Sequence, residues 1–159
     1  MKRSIGIAVA MVALASVAFC ANNTVGTWKW DPAKSKTSPG QSPIKSLTVV
    51  REMSAEEVKT SGKGEREDGS NIDFSYTSKS DGKESMVLGS GLPYDTIIAR
   101  QVNANTVTGN TWKKGGTYKA TNRFTVSKDG KFATLATKGK GANGKPFTSL
   151  SVYDKQKTE

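Results

Sequence analysis

The sequence has no histidine and a single cysteine, Cys20. Without histidine there is no Ser-His triad and no imidazole metal ligand. No side chain has an ordinary pKa near neutrality. One cysteine rules out a disulfide within the chain. Core packing and strand hydrogen bonds must then hold the fold. Other chemical signatures are missing as well. No block of five or six like charges marks a nucleic-acid tail, and no basic-aromatic pattern marks a single-strand binder. No glycine loop suits a phosphate and no pair of acids has glycosidase spacing. Gly89-Ser90-Gly91 lacks the outer glycines of a nucleophile elbow, because Leu88 and Leu92 stand there. No metal, no cofactor and no enzymatic activity are expected.

Long apolar runs are also scarce. The one present, IGIAVAMVALASVAF at residues 5–19, follows Lys2 and Arg3 and precedes small residues. This is the pattern of a secretory signal peptide, assigned to residues 1–20. It is short for a membrane span. Cleavage after Cys20 leaves residues 21–159 as one β-barrel domain, in the periplasm or outside the cell. A lipid anchor on Cys20 is the lesser alternative, because Phe19 replaces the small residue that usually precedes a lipidated cysteine. The formal charge of +10 then becomes 22 basic against 14 acidic residues, a net +8. The lysines are spread over turns and strand ends. That implies a solvated surface with weak attraction to anionic membranes and no specific nucleic-acid partner.

After the leader, short β-type segments alternate with turns. VGTWKW, IKSLTVV, EVKTSGKGERE, NIDFSYTSK, KESMVL, DTIIARQV, NTVTGNTWKK, TYKATNRFTV, KFATLATKG and KPFTSLSVYDK are rich in threonine, valine and aromatics, which favour strands. EDGS, SDGK, KDGK and ANGK are hairpin signals, expected as type I′ turns with positive φ at both central residues. Sequential strands joined this way form an antiparallel up-and-down meander. Closing it into a barrel of eight to ten strands removes its edges, and a sandwich is the alternative. MSAEEV, residues 53–58, is the best helical stretch. The polar connection DPAKSKTSPGQSP, residues 31–43, is expected as a lid over the barrel mouth or a strap along its side.

Alternation assigns faces. Trp28 and Trp30 share one side of the first strand. Tyr118, Ala120, Asn122, Phe124 and Val126 share the inner face of the eighth, which leaves Lys119, Thr121, Arg123 and Thr125 outside. The inner faces mix large aromatics with small and polar residues, which leaves room for a ligand. Trp30, Phe74, Tyr76, Tyr118 and Asn122 are the candidate pocket lining, against a plain core reading of the same residues. Arg100 is the candidate partner for a ligand carboxylate, against a solvated strand end. The inner faces of DTIIARQV, KFATLATKG and KPFTSLSVYDK stay open.

The segments GTWKWDPAKSK, SKSDGK, SKDGK and SLSVYDKQ resemble small exported bacterial proteins of unknown function described as lipocalin-like, of calycin type. The resemblance implies a barrel related to lipocalins and to the ten-stranded fatty-acid-binding proteins. Gly26, Thr27 and Trp28 match the Gly-x-Trp signature of lipocalins. This implies structural roles for Gly26 and Trp28, with the indole plugging the closed end beneath an arginine from a late strand. Arg123 is the late arginine available. The Arg-x-Tyr clamp of fatty-acid-binding proteins has no match at Tyr153, which follows Ser151 and Val152.

The expected function is non-catalytic: an exported, monomeric, lipocalin-like barrel that holds a small apolar or anionic amphipathic ligand. The alternative is an envelope interaction or structural protein with a filled barrel. A cavity below about 300 Å³ leaves little room for a drug-sized ligand and counts against the first reading.

Overall fold

The computed structural model describes residues 22–37 and 43–157. The leader, Cys20 and residues 38–42 of the polar connection lie outside the described residues. The chain forms eleven antiparallel strands: β1 (Gly26–Thr37), β2 (Ile44–Ser54), β3 (Glu57–Arg66), β4 (Asn71–Ser78), β5 (Asp81–Met86), β6 (Leu88–Ser90), β7 (Thr96–Asn103), β8 (Thr106–Trp112), β9 (Lys119–Val126), β10 (Phe132–Lys140) and β11 (Pro146–Lys155). The hydrogen-bonded order is β5-β7-β8-β9-β10-β11-β1-β2-β3-β4-β6. Sequential strands pair along most of it, as a meander requires, and β11 returns to β1.

The two ends of that order are β5 and β6, which Val87 alone separates in the chain. The seam is therefore closed covalently. Asp81–Met86 pairs with β7, then the chain changes partner and Leu88–Ser90 pairs with β4. This gives a nearly closed barrel. It has eleven strands rather than eight to ten, because the segment 83–88 is cut at Val87, where its backbone N–H donates to Asp95 O at 2.9 Å.

Four local expectations need correction. SDGK does not make a hairpin ladder, since β4 and β5 are not hydrogen-bonded neighbours. The remaining hairpin turns are not type I′. Gly69, Gly130 and Gly144 have φ near +70 to +80, while Asp68, Asp129 and Asn143 before them keep negative φ. The glycine N–H closes an i to i+3 bond in each, as at Gly130 N to Ser127 O, 3.0 Å. The preceding Asp or Asn accepts an N–H two residues on, for example Lys131 N to Asp129 Oδ1 at 3.1 Å. These are type I turns followed by a left-handed glycine, which keeps strand twist with a single positive φ. MSAEEV is not helical. It is the tip of the β2–β3 hairpin, with Ala55 at φ 52°. Finally, residues 31–37 are strand rather than lid or strap. β1 runs on past a register break between Asp31 and Lys36 and stays paired to β11, with Ser35 Oγ accepting the Val152 N–H at 2.9 Å.

The buried core forms two clusters, a small one of Tyr118, Ala120 and Phe147 and a larger one around Trp28. Trp28 is fully buried there with Leu47, Ile72, Phe74, Val126, Ala133 and Tyr153. Its Nε1–H donates to Thr24 O at 3.0 Å. Thr24 belongs to a short N-terminal strap across the floor, which Asn23 N ties to Ala104 O in the β7–β8 turn at 2.8 Å. Phe124 meets the indole edge-on, 5.7 Å between centroids. The cation over the indole is Lys155 of β11, 5.1 Å from the ring centroid, while Arg123 is exposed. A lysine thus stands where the resemblance implied an arginine. Gly26 has φ +133°, and a Cβ there would sit 2.9 Å from Lys155 Cε. That position needs glycine for its backbone and to let the lysine cross the tryptophan.

Candidate functional site

Inside the barrel, above this floor, lies a cavity of about 230 Å³. Residues of nine strands, all but β5 and β6, build it. On β9 the expected parity holds, with Asn122 and Phe124 in the wall and Tyr118, just before the strand, in line with them. On β10, Leu135 and Thr137 face it, while Phe132 is 43% exposed. On β11 the inner residues are Phe147, Ser149, Ser151 and Tyr153. Alternation had left both of those strands open.

The wall divides into an aromatic part and a polar part. All four tyrosines of the chain line the cavity. Tyr94 stacks on Tyr118 at 5.7 Å, and Tyr118 meets Phe147 at 5.8 Å. Phe74 is buried and its ring lies directly over Gly62 of β3, in the space where a Cβ would stand. The polar part is a hydrogen-bonded belt across three strands. Asn122 Nδ2–H donates to Thr111 Oγ1 at 3.0 Å, and Thr137 Oγ1–H donates to Asn122 Oδ1 at 2.9 Å. Asn122 is therefore satisfied within the protein and fixed in place.

Burial pushes the Tyr153 phenol up to about 12, and it lifts Tyr94 well above and Tyr118 above the ordinary tyrosine value. These phenols stay neutral at physiological pH. Among the described residues no carboxylate lines the cavity, and the charged residues in its wall are Arg51 and Arg66. Arg66 donates from Nη2 to Gly91 O at 2.7 Å, which ties the end of β3 to the loop that carries Tyr94. Asp95 anchors the other end of that loop. Its carboxylate accepts from Lys114 N at 3.0 Å and pairs with Lys113 Nζ at 3.1 Å. These contacts, led by the Lys114 N–H, hold Asp95 down at about 2.

Of the residues singled out from sequence, Phe74, Tyr76, Tyr118 and Asn122 come together in this wall. Trp30 does not. Beyond Lys29 the first strand leaves β2, and Trp30 packs against the core there, with a buried Nε1 that has no partner among the described residues. Arg100 is outside as well. It is exposed on β7 with its guanidinium against Gly82. Ile97, Ala99 and Gln101 take the alternate positions, and Ile97 and Ala99 reach the cavity. Arg51, Arg66 and Tyr94 were not singled out. Arg51 was legible, because Leu47, Val49 and Arg51 alternate along SLTVVRE. Ending the second strand at Val50 concealed it. Tyr94 lies in a loop, where no periodicity speaks.

What the site offers is a small, half-open pocket with aromatic walls, fixed hydroxyls, the Asn122 amide and positive charge. Its volume lies below the usual range for drug-sized ligands. A dry cavity of about 150 Å³ accepts benzene. One ring with a small substituent is therefore the matching size. Among the described residues, no group of three or more acidic or sulfur ligands gathers to hold a metal.

No family model matches the chain, and no curated protein does. Among solved structures it is similar to EF1p2_mFAP2b bound to DFHBI (TM-score 0.45, 12% identity, covering 84% of this chain and 94% of that one). It is similar to a redesigned β-barrel, mFAP1, bound to DFHBI (TM-score 0.45, 14% identity, 86% and 98%). It is also similar to the S-type phycobiliprotein lyase CPES from Guillardia theta (TM-score 0.49, 16% identity, 86% and 90%). Likeness at this level carries nothing about what this chain binds.

Proposed function

We propose that this chain is a non-catalytic, lipocalin-like binding barrel that is exported and holds one small apolar or amphipathic molecule in its interior. The observation that carries the reading is the cavity of about 230 Å³, walled by Phe74 and all four tyrosines and crossed by the Thr111–Asn122–Thr137 belt. These side chains touch in part, as Tyr94 does Tyr118, and still leave an open volume that a filled barrel would lack. The volume suits a ligand of about one ring. Export rests on the leader at residues 1–20 alone. The second reading, an envelope interaction protein without a small-molecule ligand, draws support from the same volume, because it is below the drug-sized range.

Native mass spectrometry of the protein purified gently from its host separates the two readings. A bound molecule of about one ring that leaves on denaturation is the expected result. A bare mass, together with no uptake of benzyl alcohol at millimolar concentration, would overturn the carrier reading. The same spectrum reports whether the leader has been removed and whether Cys20 carries lipid.

A further inference from the structure

Arg51 lies deep in the barrel, on β2 opposite Thr60 of β3 and Gly26 of β1. It is 7% exposed and lines the cavity. A guanidinium is a cation with five N–H donors. Here Nη1 donates to Thr60 Oγ1 at 3.2 Å, and Nη2 makes a long bond of 3.4 Å to Thr24 Oγ1. Its Cζ stands 5.5 Å from the Phe124 ring centroid. Nε is buried with no partner among the described residues. Two neutral hydroxyls and a ring are weak compensation for a buried charge, which ordinarily has a paired anion. None is present. Among the described residues no carboxylate lines the cavity, and burial holds Tyr153 in its wall neutral. The surface acids pair with lysines, as Asp95 does with Lys113 and Glu65 with Lys45.

We infer that Arg51 is the anchor for an anionic ligand, and that the ligand is a small carboxylic acid with one ring. Its carboxylate sits against the guanidinium and its ring against Phe74 and the tyrosines. The carboxylate would supply the missing counter-charge and accept two N–H bonds in parallel, the geometry a guanidinium fits best. A ring with one carboxyl group also suits a cavity of about 230 Å³. Arg66, which lines the same cavity, adds positive potential. The inference rests on the binding-barrel reading and deepens it.

Benzoate and benzyl alcohol, nearly equal in size and different in charge, test it by isothermal titration calorimetry on the full chain. The wild type should bind benzoate about tenfold or more tighter than benzyl alcohol. Arg51→Met should lose that preference, with benzoate binding no tighter than benzyl alcohol, and resist urea at least as well as the wild type without ligand, because an unpaired buried charge has gone. Arg51→Lys keeps the charge and loses the fork. It should lie between the two, and it carries the test if the methionine variant misfolds. Equal affinity for the two probes, unchanged in the variants, would refute the anchor and leave the carrier reading intact. No binding of either probe at about ten millimolar would remove both.

Discussion

Replacing Trp28 by alanine tests the floor on which the cavity rests. The indole is fully buried, donates Nε1–H to Thr24 O at 3.0 Å, meets Phe124 edge-on at 5.7 Å and lies under Lys155. Burying an indole removes about 150–250 Å² from water, worth about 4–6 kcal/mol at 25 cal/mol per Å². The unfolded chain already hides part of that area. The lost hydrogen bond and the cavity left behind act in the opposite direction. The expected loss is about 3–5 kcal/mol. Urea unfolding followed by circular dichroism measures it, and the melting temperature should fall by roughly 10–15 °C. Trp28→Phe keeps most of the ring and loses the donor, so it should cost about 1–2 kcal/mol. A loss below about 1 kcal/mol for the alanine variant would refute the reasoning, because it would mean that the indole is not packed at all.

Three further outcomes are expected. Gly62→Ala places a methyl where the Phe74 ring lies, so it should cost about 1–3 kcal/mol and lower the affinity for any ring-sized ligand. Calorimetry with benzyl alcohol reads the second effect, and an unchanged affinity would dissociate Phe74 from the site. Tyr153, at about 12 in the fold, holds its proton more tightly than in the unfolded chain. Its contribution, of order 2–3 kcal/mol, should be complete below pH 10 and lost as pH rises from 10 to 12. Ultraviolet titration of tyrosinate should show this phenol ionising only as the chain unfolds. Asp95 is shifted the other way, so its contribution is present above pH 4 and lost as pH falls towards 2. Asp95→Asn should flatten the stability profile across that acid range, and an unaltered profile would exclude the loop anchor.

The meander was legible because turn chemistry and period-2 patterning both act over a few residues. The Asp/Asn-Gly positions punctuate the chain, and β9 shows its inner face plainly, with Asn122 and Phe124, in phase with Tyr118 just before the strand, alternating against Lys119, Thr121 and Arg123. What escaped depends on partners distant in sequence. The break at Val87 exists because β5 and β6 pair with opposite ends of the sheet. The extension of β1 through Thr37 exists because β11 supplies a partner. Arg100 was a plausible anchor by chemistry and sits on the wrong parity. Arg51 had the right parity in a strand read as ending one residue too soon. Tyr94 reaches the cavity from a loop held by Arg66 and Asp95, a contact no local pattern encodes.

The central claim is that the barrel interior takes up one ring-sized molecule. The most direct measurement is methyl-detected NMR of the full chain during a titration with benzyl alcohol. Shifts concentrated at Leu47, Ile97, Ala99, Val107 and Leu135, all in the cavity wall, are the predicted result, with outward Val102 and Leu150 unmoved. Shifts confined to surface methyls, or none at saturating ligand, would contradict it.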